Sequence, residues 1–320
     1  MGISPEQALD CFLSDDLIGI GMEADAVRRR LHPEGVVTYV IDRKISLTLP
    51  LQSIFEQVGD AIQWGGTGVH LTSALDPRYL QLDRLEDILR ALKQRFPSLW
   101  LHGLSASAIV VISTQSALTP RDTLARLHAA GLGSLAGDDA LILDDNFRQS
   151  PTCSAVQWLA VHRAAHSLGL GTAAAMTIGL GETPSQRVQH LERLCELQAD
   201  TGGFTAFIPI CFQPADRASG VHGRGEATAV EYLKTLAISR MVLDTIPNIQ
   251  SSWDPHGLKV LQTALRFGGN DVGSVLGEFT PAPSAKAANR TTEEDLRRII
   301  RVAGFHPIQR DTAYRTMFLN

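Results

Sequence analysis

Short apolar runs rich in β-branched residues alternate with amphipathic helical stretches from one end of the chain to the other. This alternation confines the chain to repeated βα units around a parallel sheet. Strand-like runs fall at 36–41, 68–72, 100–104, 133–136, 172–178, 204–210 and 249–253, with a short one near Phe267. Eight such runs predict an α/β fold of the (β/α)8 TIM-barrel type. Helical periodicity marks 82–96, 120–130, 155–168, 184–201, 227–245 and 257–267. Gly131 and Gly169 suit helix ends, and Thr183 before Pro184 suits a helix start. The Gly/Arg/Asp-rich stretch 214–226 reads as a rim loop, and the Ala/Pro/Ser-rich stretch 281–289 as a connector to a C-terminal helix at 292–303.

A barrel of this type takes about 250 residues, so the 320 residues are expected to form one domain. Its parts are a helical extension over 1–35, the barrel over 36–280, and a helix and tail over 281–320. With 44% apolar and 20% charged residues the chain can bury a large core. A net charge of -5, with no dense Lys/Arg stripe, points away from nucleic acid, and no stretch approaches a membrane span. The start of the chain carries no basic segment followed by an apolar run, so a cytoplasmic location is expected.

Barrel active sites lie where strands end, which makes polar residues just after each run the candidates. Asp42 and Arg43 offer a rim ion pair or a grip on a carboxylate, the former being the expected use. His102 with Ser105 could transfer protons, although a lone histidine beside a small loop is more often a satisfied hydrogen-bonding residue. Glu182 is a further acid/base candidate at the end of the fifth run. Asp138 and Asp139, with Asp144 and Asp145 beyond, could hold a cation, but four aspartates in a loop more often make a solvated turn. His162 and His166 have the i, i+4 spacing of metal ligands without the glutamate of HExxH, and are read as surface. No metal site is expected. Gln213, Gln250, Ser252, Trp253, Asn270 and Asp271 mix amides, a carboxylate and an aromatic plane, a set suited to a ribose and an arene. The competing reading makes Gln250 and Trp253 packed rim residues.

Five segments carry a specific resemblance: VVTYVIDRKI at 36–45, TGGFTAFIPICFQP at 201–214, TAVEYLKTLAISRMVLDTIPNIQSSW at 228–253, FGGNDVGSV at 267–275 and AGFHPIQRDTAYR at 303–315. In this order they resemble the cyclic dehypoxanthine futalosine synthase family, radical S-adenosylmethionine enzymes of menaquinone biosynthesis. The resemblance implies the barrel, a nucleoside-type substrate, and a CxxxCxxC motif after the first strand that holds a four-iron cluster.

That motif is absent from this chain: IDRKI runs straight into SLTLPLQSIFEQV, and the only cysteines are Cys11, Cys153, Cys195 and Cys211. Where the family has paired glycines after the second strand, this chain has Thr72, Ser73 and Ala74. The acidic residue expected after the fourth strand is Leu141, and Ile178, Gly179 and Leu180 replace Phe-Gly-His after the fifth. The losses gather on the S-adenosylmethionine half, while the nucleoside half keeps the family pattern. The expectation is a homologue with no iron–sulfur cluster and no S-adenosylmethionine, binding a nucleoside-type ligand. A scaffold that partners another menaquinone-pathway protein is the alternative, as is assignment as the cyclase by similarity.

Overall fold

A computed structural model describes residues 2–148, 152–212, 227–253, 256–275 and 291–316. Helices α1 (Pro5–Leu13) and α2 (Leu17–Leu31) precede the barrel. Then follow β1 (Val36–Val40), β2 (Lys44–Ser46), α3 (Leu51–Gln63), β3 (Gly68–Thr72), α4 (Leu82–Arg95), β4 (Trp100–Gly103), α5 (Ala106–Ser116) and α6 (Pro120–Ala130). The chain continues through β5 (Ser134–Leu135), a 3-10 turn at Asp138–Ala140, α7 (Ala155–Ser167), β6 (Gly171–Ile178), α8 (Pro184–Thr201) and β7 (Phe204–Cys211). It closes with α9 (Ala229–Val242), β8 (Asn248–Ile249), α10 (Gly257–Ala264), β9 (Asp271–Ser274), α11 (Glu293–Val302) and β10 (His306–Arg310).

The ladders are parallel and run β2-β3-β4-β5-β6-β7-β8 in one sheet and β10-β1-β9 in the other. A parallel bridge between Gln250 and Asp271 joins β8 to β9. The opposite seam is crossed by the chain itself, because β1 and β2 are two halves of one extended run. The first half pairs with β9 and β10, and from Arg43, whose carbonyl accepts from the His70 amide at 2.9 Å, the second pairs with β3. The result is an α/β barrel of the (β/α)8 type with a C-terminal strand added beside its first strand.

Local signals explain the helix starts. Ser4, Ser154, Thr183, Thr228 and Thr292 each form a reciprocal capping box, and Pro184 opens α8 behind Thr183 as expected. The expected helix at 120–130 is α6, ending on Gly131 at φ +121°. Three departures stand out. The strand expected near Phe267 lies later, at β9, because residues around Phe267 form the turn that ends α10. Helices α3 and α5 and strand β10 were not placed by periodicity. His162 and His166, read as surface, face inward: His162 is fully buried against Trp158 with ring centroids 3.8 Å apart, and both rings reach the Thr172 hydroxyl, at 3.0 and 2.8 Å. The two stretches read as loops, 214–226 and 281–289, lie outside the described residues.

Candidate functional site

TIM-barrel interiors are normally filled by layers of bulky branched side chains. Here the inward positions of β5 and β6 and the residues after them are small: Ser134, Ala136, Gly137, Gly171, Ala173 and Ala175. They leave a cavity of about 280 Å³ along the barrel. Its C-terminal end is lined by Asp42, Lys44, Asp138 and Ile210, its middle by His70, His102 and Gln250, and its N-terminal end by Trp100, Gly169, Thr205 and Tyr314.

Ladder register sets the middle. His70 pairs with His102, His102 with Ser134, and Ser134 with Gly171, so one rung carries two imidazoles, a hydroxyl and a gap. The imidazoles meet edge to face at 4.8 Å. Ser134 Oγ lies 2.8 Å from His102 Nδ1 and accepts from Trp100 Nε1 at 2.9 Å. Burial holds both histidines neutral, His70 pushed down to about 3 and His102 well below its ordinary value, helped by the charge of Lys44.

At one wall Arg310 pairs with Asp271, with two of its guanidinium nitrogens, Nε and Nη2, on the carboxylate; both residues are buried. Asp271 also accepts from Thr38 Oγ1 at 2.5 Å and from the Gly273 amide at 2.9 Å. Arg310 lies 3.7 Å over the Tyr314 ring, whose hydroxyl donates to Gln250 Oε1 at 3.3 Å. Burial raises the Asp42 carboxyl, partly offset by the Ser274 hydrogen bond and by Arg310 and Lys44.

Several expected site residues are used elsewhere. Arg43 does not pair with Asp42; it reaches Asp60 at 3.1 Å on the outer side, leaving Asp42 to the cavity. Ser105 caps α5 through the Ala108 amide, so His102 is coupled to Ser134 rather than to Ser105. Asp139 accepts from the Ser107 amide at 2.7 Å and Trp158 Nε1 at 2.9 Å, and burial raises its carboxyl. Asp145 accepts from the Ala155 amide at the start of α7, beside the Ser154 cap. Glu182 accepts from the amides of Gly179 and Leu180 and pairs with buried Arg187 at 2.6 Å, a clamp on the loop after β6. Asn270 accepts from Arg240 at 2.6 Å and from the Ile249 amide at 2.9 Å, and donates to Asn248. Trp253 packs with Val37, Tyr39 and Leu261 in a core cluster, and the Ser252 amide donates to Tyr232 Oη at 2.7 Å. Gln213 lies outside the described residues. Of the expected set, the cavity gathers Asp42, His102 and Gln250 along its wall, with Asp271 behind Arg310. His70, Ser134, Trp100, Arg310 and Tyr314 were missed; the rung that His70 and Ser134 form with His102 is a property of register, which no single segment displays.

The C-terminal region, residues 201–319, matches the family model described as CofH/MqnC C-terminal region. The cyclic dehypoxanthine futalosine synthase of Streptomyces coelicolor is 33% identical over 347 residues, spanning 99% of this chain and 86% of the relative. The chain belongs to this family. The 5-amino-6-(D-ribitylamino)uracil–L-tyrosine 4-hydroxyphenyl transferase of Methanothermobacter thermautotrophicus is 38% identical over 280 residues, spanning 84% of this chain and 76% of the relative. The barrel is shared with the crystal structure of methylornithine synthase, at a TM-score of 0.74 and 16% identity over 96% of this chain and 94% of that one. The Streptomyces alignment is longer than the 320 residues of this chain, so the relative carries positions that this chain lacks.

A CofH/MqnC barrel raises the question of an iron–sulfur cluster, which needs converging thiolates. Only Leu47–Leu49 and Pro50 separate β2 from α3, and none is a cysteine. Cys11 lies on α1, Cys153 before α7, Cys195 on α8 and Cys211 at the end of β7. Among the described residues no three His, Cys, Asp or Glu side chains converge to hold a metal. Burial pushes the Cys153 and Cys195 thiols up to about 11, away from the thiolate a cluster requires. The residues present do not fit the cluster. Cys211 Sγ instead lies 3.5 Å from His256 Nε2.

Proposed function

We propose that this CofH/MqnC chain binds a futalosine-like nucleoside in its barrel cavity and carries or transforms it without radical chemistry. The observation that supports this reading is the hollow, polar interior: small residues on β5 and β6 leave space beside His70, His102, Ser134 and Gln250, where a closed barrel would otherwise be packed. The lining supplies neutral imidazoles, a hydroxyl, an amide and two aromatic faces, and at the C-terminal end the charges of Lys44 and Asp138. These groups can orient a ribose and an arene. The lack of a fitting cluster site leaves no source for the electron that S-adenosylmethionine cleavage requires.

Calorimetric titration of the purified chain with dehypoxanthine futalosine, and separately with S-adenosylmethionine, tests the reading. Saturable binding of the futalosine alone is the expected result. Binding of neither, together with co-elution with an intact radical enzyme of the pathway, would transfer the role to that of a scaffold. Reductant-dependent turnover of S-adenosylmethionine would overturn the non-radical half of the proposal.

A further inference from the structure

The cavity reaches the end of the barrel opposite the usual active-site face. Trp100 and Gly171 are the first residues of β4 and β6, and Gly169, exposed at that end, also lines the space. Above this end sits the rung of His70, His102 and Ser134, and at Gly171 the same rung carries no side chain. A slot therefore lies between an imidazole pair and a bare stretch of β6, with an indole at its base.

Hydrogen-bond chemistry gives the slot a polarity. An indole N–H can only donate, so Ser134 Oγ accepts from Trp100. The arrangement that uses every proton has the Ser134 hydroxyl donating to His102 Nδ1, which fixes the His102 hydrogen on Nε2 and offers it as a donor. His70 makes no ring hydrogen bond among the described residues, and its imidazole meets His102 edge to face. The slot thus offers aromatic faces, a donor from His102 and a ring nitrogen pair on His70. Arg310 is engaged by Asp271, and the charge felt by both imidazoles is that of Lys44, which stands opposite His70 in the ladder.

We propose that this lower compartment, between the His70–His102 pair and Trp100, is a binding slot for a planar ring bearing an oxygen substituent. The ligand then lies along the barrel axis, ring toward the N-terminal mouth and polar part toward Asp42 and Lys44. Tyr314 stands at that mouth in a left-handed conformation at φ +61°, a strained setting for a tyrosine, held by its contacts with Arg310 and Gln250. The strand and segment that carry it close the compartment from below.

The inference borrows the nucleoside reading only for the choice of one ligand, so two probes separate the ideas. Trp100 is the one tryptophan of the four that lines the cavity: Trp64 is exposed on the outer side, and Trp158 and Trp253 lie in the core. Tryptophan emission is followed while phenol, and then dehypoxanthine futalosine, is titrated into the full chain. Both are expected to change the emission saturably. Trp100→Phe should abolish the signal while calorimetry still detects binding, and Ala173→Leu, which projects into the open space one inward position above Gly171, should weaken both ligands about tenfold. Calorimetric futalosine binding with no Trp100 response would leave the nucleoside reading standing and overturn the slot. A phenol response without futalosine binding would do the reverse. Phenol binding insensitive to Ala173→Leu in a variant that unfolds like the parent would also overturn the slot.

Discussion

Arg310 joins the stability of the barrel to its cavity. Its guanidinium is buried on Asp271 and covers one face of Tyr314, and the same carboxylate takes the Thr38 hydroxyl and the Gly273 amide. Removing one member of a buried pair strands the other, at a cost of about 3–5 kcal/mol. Arg310→Ala and Asp271→Ala should each lower the unfolding free energy measured by urea titration by that order, and the double variant should lose clearly less than the two single losses combined. Additive losses would mean that the pair does not act as a unit. Thiol chemistry is a second residue-scale test. With Cys153 and Cys195 held up at about 11 by burial, about one molecule in a thousand carries the thiolate at pH 8. Mass spectrometry after brief iodoacetamide treatment of the native chain should find both unmodified, and after denaturation both should react. Rapid native alkylation at either would contradict the burial that keeps these thiols protonated.

Strand β10 is the element whose contribution is easiest to isolate. It pairs along five residues with β1, from Val36 with His306 to Val40 with Arg310, and Gln309 reaches across to the Gly65 carbonyl at 3.0 Å. Nothing in HPIQR announces a strand: it has a proline, two basic residues and no alternation, and its pairing is decided by the edge that β1 presents. Long alternating segments such as β6, β7, α4 and α8 were legible because periodicity and caps agree there. Strand β8 shrank to two residues and the eighth barrel strand moved past Phe267 because bridge geometry, not propensity, sets their limits. A chain ending at Phe305 would lose β10, Arg310 and Tyr314 together. Calorimetry should show its unfolding temperature lowered by roughly 10 °C and dehypoxanthine futalosine binding abolished. An unchanged melting temperature would remove β10 from the barrel's stabilising structure.

Across the whole molecule the fold was readable because βα alternation survives any change at the strand ends, whereas the site depends on which face each residue takes. Asp42 faces the cavity while its neighbour Arg43 pairs outward with Asp60, and Trp253, chosen as an aromatic wall, turned into core. The same inward packing that hid His162 and His190 from a sequence reading makes acid sensitivity a property of the entire barrel. Both are fully buried; His190 is pushed down to about 3 and His162 well below its ordinary value, chiefly by loss of solvent. His190 Nδ1 accepts from the Leu143 amide at 3.0 Å, so an imidazolium there would put two hydrogens face to face. In the unfolded chain these rings take up a proton near pH 6.5, and in the folded chain they do not. Below about pH 6.5 the unfolded state therefore binds more protons, and stability falls as pH drops further, by up to about 1.4 kcal/mol per pH unit for each histidine. Urea midpoints measured between about pH 7.5 and 4.5 should be flat at the upper end and fall steadily below it. His190→Asn, whose side-chain oxygen can keep the acceptor toward Leu143 but cannot titrate in this range, should reduce the slope by one histidine's share. An unaltered slope in a variant that folds normally would show that the acid lability arises elsewhere in the barrel.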